Sequence, residues 1–136
     1  MQQMAMVLVI FFPLAFFFHV LVNNIALDSF PRFPTEPLGE KIGSFWFCRL
    51  QHGFLRGADG RIVVYERGIV FRSLLAADLL LPFSQMRSVR STAGFSLGHH
   101  IHFDLVGTRK EVFVECFSSA LVRAVEAAYS KQRTAS

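Results

Sequence analysis

No Asp, Glu, Lys or Arg precedes Asp28 in this 136-residue chain. Cysteine is scarce: Cys48 and Cys116 are the two present, far apart and without a C-x-x-C. That excludes a disulfide scaffold and supports neither a zinc knuckle nor any other metal site. Asparagine occurs only at Asn23 and Asn24, and neither begins an N-x-Ser/Thr acceptor. This fits a cytosolic domain with both thiols reduced. There is no Walker motif, no carboxylate pair placed for acid–base work and no Cys–His dyad. The chain therefore reads as a non-enzyme, with no catalytic residue, no cofactor and no small-molecule substrate. Its length excludes a multidomain enzyme or a polytopic transporter, and its apolar content excludes a disordered chain.

What is present is segregated. Hydrophobic residues make up 52% of the chain, and the excess lies in Met4 to Val22, where only Pro13 and His19 are not apolar. Without that run the remainder is about 46% apolar, an ordinary value for a soluble domain. Nineteen helical residues rise about 28 Å, close to the thickness of a hydrocarbon core. Residues 1–22 thus read as a single transmembrane anchor, with His19 near its end. A cleaved signal peptide and a buried core helix are the competing readings. The run is long for a signal h-region, lacks a basic n-region and is followed by no A-x-A site. Lys and Arg near the span occur only after it, at Arg32 and Lys41, which places the following domain in the cytosol. In a eukaryote an endomembrane such as the endoplasmic reticulum is the expected location.

Residues 23–44 hold Pro31, Pro34 and Pro37, spaced by three, and read as an extended tether. From about residue 45 to 131 the sequence punctuates as about seven short strands closed by one helix, and 132–136 is a tail. Ser44 to Leu50 is strand-like; Gly53, Gly57 and Asp59-Gly60 mark a loop over 51–60. Arg61 to Glu66 and Ile69 to Leu74 are strands about a turn at Arg67-Gly68. Ile101, Phe103 and Leu105 alternate with His100, His102 and Asp104, the pattern of a half-buried strand. Ser118 caps a helix whose apolar face is Leu121, Val122, Val125, Ala128 and Tyr129. The expected fold is mainly β with one C-terminal helix, a bent antiparallel sandwich or barrel of the pleckstrin-homology-like kind, preceded by a single transmembrane helix.

Five phrases in order resemble the GRAM domain, a branch of that superfold. They are Cys48-Arg49-Leu50, Gly60-Arg61-Ile62-Val63, Ile69-Val70-Phe71-Arg72-Ser73, Pro82-Phe83-Ser84-Gln85-Met86, and Val112-Phe113-Val114-Glu115-Cys116-Phe117-Ser118-Ser119. Bacterial PH-like domains share part of the pattern. The resemblance covers about residues 45–128 and implies a lipid- or protein-binding module. It departs from the family in carrying no second domain and in placing its anchor first.

Of the 14 basic side chains 11 are arginine, and the guanidinium fork matches phosphate oxygens. The expected lipid-binding residues are Arg49, His52, Phe54, Arg56 and Arg61 around the first loop, with Arg87 and Arg90 as a second group. The partner this implies is an anionic or phosphoinositide-type membrane lipid, with Phe54 dipping into the interface. The alternative is an adaptor that docks a membrane-protein partner through the domain and the span. With an anchor and no stacked aromatic-basic motif, nucleic acid is not an expected partner. Gly94 to Gly98 matches G-x-S-x-G, but no His follows Asp104, so the match is read as a glycine-bounded turn.

Overall fold

The computed structural model describes residues 2–28, 33–52, 57–73, 78–93, 98–107 and 112–135. An apolar helix, α1 (Gln2–Asp28), precedes seven strands: β1 (Lys41–His52), β2 (Gly57–Tyr65), β3 (Gly68–Ser73), β4 (Leu79–Pro82), β5 (Met86–Ala93), β6 (His99–Leu105) and β7 (Val112–Cys116). A 3₁₀ turn, Phe83–Gln85, joins β4 to β5, and helix α2 (Ser119–Ala135) ends the chain. The strands form one antiparallel sheet in the order β4-β3-β2-β1-β7-β6-β5. The mainly-β fold with a C-terminal helix is as the sequence predicts.

Side-chain alternation sets the two faces. On β6, Ile101, Phe103 and Leu105 are buried, while His100 and His102 are half-buried and Asp104 is exposed. On β2, Ala58, Ile62 and Val64 turn inward to meet Ile69, Phe71 and Leu81. The inner face is closed by α2, which packs against β1, β2, β3, β5 and β6. Its start is capped by Ser118, whose Oγ accepts from the Leu121 amide at 3.3 Å. Leu121, Val125, Ala128 and Tyr129, at helical spacing, are the buried stripe. Each fully buried Leu or Phe of this core contributes about 1.5–3 kcal/mol. Tyr129 also meets the Phe83 ring edge-on at 5.7 Å and donates its hydroxyl to the Arg87 carbonyl at 3.1 Å, tying α2 to β5.

β1 belongs to two wings. It pairs with β2 from Lys41 to Gln51 and with β7 over Arg49 to His52. Between Phe45↔Ile62 and Cys48↔Gly60 it carries one more residue than β2, which makes a β-bulge.

Four boundaries differ from the sequence reading: α2 continues through Ala135 into the expected 132–136 tail, since nothing in Gln132 to Ala135 breaks a helix, and three others have their own physical reasons. Helix α1 runs past Val22 to Asp28, because nothing in Asn23 to Leu27 breaks a helix. The segment 33–40 lies along the domain. Leu38 is buried and its carbonyl accepts from the Arg67 amide at 2.9 Å; the Glu40 carbonyl accepts from Glu66 at 3.1 Å. Ser84 Oγ donates to Glu36 at 2.9 Å, and Phe33 packs on the core. The expected loop over 51–60 is mostly strand: Gln51 and His52 end β1, and Gly57 to Gly60 begin β2. Gly60 is there for clearance, since a Cβ would collide with the Arg72 carbonyl oxygen of β3 and come within 2.9 Å of the Phe71 ring.

Candidate functional site

The outer face of β1, β2 and β3 carries the chain's most unusual surface. Inward residues of β2 alternate with Asp59, Arg61 and Val63, which turn outward. Arg61 stands opposite Arg72 of β3 in the ladder, and Arg49 of β1 opposite Asp59. Across β1 from Arg61 lies the bulge, Trp46-Phe47. Trp46 is 65% exposed and Phe47 85% exposed, far from the burial such rings usually find in a folded domain. Phe47 has φ 60°, the left-handed region that side chains other than Gly, Asn and Asp seldom enter.

The bulge is held from below. Cys48 is buried, and its Sγ lies 3.5 Å from the Phe45 carbonyl and 3.7 Å from that of Trp46. Burial, helped by the nearby Cys116, pushes the Cys48 thiol up to about 12. The sulfur therefore keeps its proton at neutral pH and serves as a donor to the carbonyls of the bulge. Cys116 is raised too, chiefly by burial.

Around the bulge the charges are paired. Arg49 Nε donates to Asp59 Oδ1 at 3.0 Å, and that hydrogen bond raises the guanidinium above its ordinary value. Arg72 Nε lies 3.3 Å from Asp78 Oδ2. The Arg61 guanidinium sits 4.9 Å above the Trp46 ring, a cation–π contact. Trp46, Phe47, Arg61, Arg72, Ser73 and Asp78 line an open cleft of about 570 Å³. The two guanidiniums of Arg61 and Arg72, the carboxylates of Asp59 and Asp78 and two exposed rings line it, which suits a ligand with an anionic group at one end and an apolar part at the other.

The residues singled out from sequence fall in different places. Arg61 lines this cleft, and Arg49 stands beside it through its pair with Asp59, which does line it. Arg87 does not join them. It pairs with Asp104 at 3.0 Å and, with Tyr129, Gln132 and Arg133, lines a second cleft of about 520 Å³ at the end of α2. Arg90 is in β5, in register with His102, so the spacing of three does not make a pair with Arg87. His52 closes β1 opposite Val112, and its side chain, like all of Phe54 and Arg56, lies outside the described residues; so does Gly94 to Leu97 of the G-x-S-x-G match. On β6 the His100 and His102 rings both lie 5.6 Å from Phe113. His100 is 3.7 Å from Glu115 and His102 is 3.1 Å from the Thr92 hydroxyl.

Trp46, Phe47 and Arg72 were not among the expected site residues. Their signal was Phe45-Trp46-Phe47 itself: three successive aromatic residues on a strand cannot all face the core. No protein-family model matches the chain, and no curated protein matches it in sequence.

Proposed function

We propose that this protein is a membrane-anchored binding module, not an enzyme. α1 crosses the bilayer and the β domain engages anionic or phosphoinositide-type headgroups through its arginine-bearing face. The observation that carries this reading is a helix, Gln2–Val22, long and apolar enough to span a membrane and with none of that segment buried in protein, joined to a domain whose outer face sets Arg49, Arg61 and Arg72 beside exposed rings. Lys and Arg occur only on the C-terminal side of the span, which favours a cytosolic domain. The GRAM-like order of phrases and the PH-like layout agree with a lipid-binding role. The test is flotation of residues 33–136 with vesicles of phosphatidylcholine alone and with added phosphatidylserine or phosphoinositide. Recovery should rise with anionic lipid and fall with salt; equal recovery in all vesicles refutes the reading.

One observation favours the adaptor alternative. Among the described residues β5, eight residues long, ends the sheet with β6 as its one strand neighbour, so a partner segment can add to its other edge as a further strand. Crosslinking in native membranes separates the two: a stoichiometric protein partner retained after Arg49→Glu and Arg61→Glu favours the adaptor.

A further inference from the structure

The row of outward residues next to the cleft is covered. Ser44, Val63, Val70 and Leu80 stand side by side across β1, β2, β3 and β4. They have the parity of the outer face, yet Val63 and Val70 are 3% and 6% exposed and the Ser44 hydroxyl is buried. Helix α1 lies against β2. That strand is interior to the sheet, and its inner face is filled by the core and α2, so the face left for α1 is the outer one. In the described part of α1, Val20 is the residue that is half-buried; the rest, from Gln2 to Val22, is exposed. The apolar span therefore ends where the helix meets the domain.

One step of the pleat from this covered row, about 7 Å along the strands, lie Arg61, Arg72 and, across β1, the Trp46-Phe47 bulge. A membrane that holds α1 up to Val22 brings its headgroups to this row. Two large rings in water, on a backbone held at φ 60° for Phe47, are hard to account for by folding alone. At a bilayer surface each has a use. Tryptophan favours the headgroup level, and Arg61 on its ring presents a cation to phosphate from the same spot. Arg72 is held by Asp78, and Arg49 by Asp59, but both pairs are about half exposed and so exchange readily for a phosphate oxygen.

We infer that the Trp46-Phe47 bulge is a wedge that enters the headgroup region of the membrane occupied by α1, with Arg61 and Arg72 on the phosphates of anionic lipids. The inference rests on the proposed membrane anchoring and adds to it a specific insertion site away from the loop at residues 53–56. The domain is then docked flat on the bilayer by a second contact beside its helix.

Trp46 is the chain's single tryptophan, so its fluorescence reports on the wedge alone. The full chain is reconstituted in nanodiscs of phosphatidylcholine, with and without phosphatidylserine, and compared with detergent solution. The expected result is a blue-shifted emission in nanodiscs, shielding from acrylamide and quenching by lipids brominated near the headgroup, all stronger with phosphatidylserine. Arg61→Glu should lower the docked-to-undocked ratio at least roughly five-fold, the effect of removing one near-surface cation. Acrylamide quenching that is equal in detergent and in both nanodiscs overturns the wedge, and that measurement on the unmodified chain needs no variant to fold. If residues 33–136 still float with anionic vesicles in that case, the wedge fails alone. If they do not, the proposed function fails with it.

Discussion

Replacing Phe47 by glycine should stabilise the fold relative to alanine while disabling the surface the ring belongs to. Phe47 adopts φ 60°, and an L-residue there costs about 1–2 kcal/mol relative to glycine. Glycine returns about 0.5–1 kcal/mol of that through its larger chain entropy when unfolded. The ring contributes little in compensation. At 85% exposed it keeps a small fraction of the roughly 1.5–3 kcal/mol that full burial of phenylalanine provides, about 0.3 kcal/mol. Phe47→Ala therefore loses the ring and keeps the strain, and should fall slightly below the parent. Phe47→Gly loses the ring and the strain, and should stand about 0.5–1 kcal/mol above Phe47→Ala. In a domain of about 100 residues that separates the two melting temperatures by roughly 2–8 °C. Thermal unfolding of residues 33–136, followed by circular dichroism, measures the difference. Alanine melting at or above glycine would refute the left-handed bulge and the reasoning built on it. Both variants should also weaken shielding of Trp46 in anionic nanodiscs, so Phe47→Gly should dock more weakly than the parent although it melts above Phe47→Ala.

Two further outcomes follow from the same wing. Gly60→Ala places a Cβ against the backbone carbonyl of Arg72, which cannot rotate away, so denaturant unfolding should show a loss of about 2–3 kcal/mol; a change near zero would mean that β2 and β3 are not in the register Gly60↔Ser73. The Cys48 thiol, raised from 9.0 to about 12, makes the folded state hold a proton that the unfolded state releases. Its contribution to stability is complete below pH 9 and is lost as pH rises towards 12, with a slope of at most about 1.4 kcal/mol per pH unit. Cys48→Ala should flatten the decline of stability over that window, and an unchanged slope would contradict the buried, protonated thiol.

The strands with one wet face were legible in the sequence because their period is two: the His100, His102, Asp104 set and its buried complement on β6 follow from alternation alone. The same holds for α2, where Ser118 and the spacing of Leu121, Val125, Ala128 and Tyr129 state both the start and the buried face. Glycine misled. Gly57 and Gly60 read as a turn, yet they lie within β2, where the close approach of β3 excludes a side chain at Gly60. Proline misled in part: Pro34 and Pro37 do keep 33–40 out of helix and sheet, but an extended segment is free to lie on a neighbour, and Leu38 has a place at Gly68. The candidate site was half legible. Arg49 and Arg61 share a strand face that parity predicts, whereas the bulge depends on how β1 bends between two wings, which no local pattern encodes. Arg87 and Arg90 were grouped by a spacing that suits helices better than the strand they occupy.

The unequal pairing of β1 has a mechanical consequence. Among the described residues, β2 holds it from Lys41 to Gln51, while β7 meets it over Arg49 to His52. Among the described residues the sheet is thus two panels stitched by a seam four residues long. A seam that short resists shear poorly, so α2 acts as the clasp, its Tyr129 hydroxyl reaching the far panel at Arg87. Load arriving through α1 enters at β2, in the near panel. Thermal opening, by contrast, has its easiest line along β1 and β7, with the β5–β7 panel swinging out as a unit once the clasp lets go.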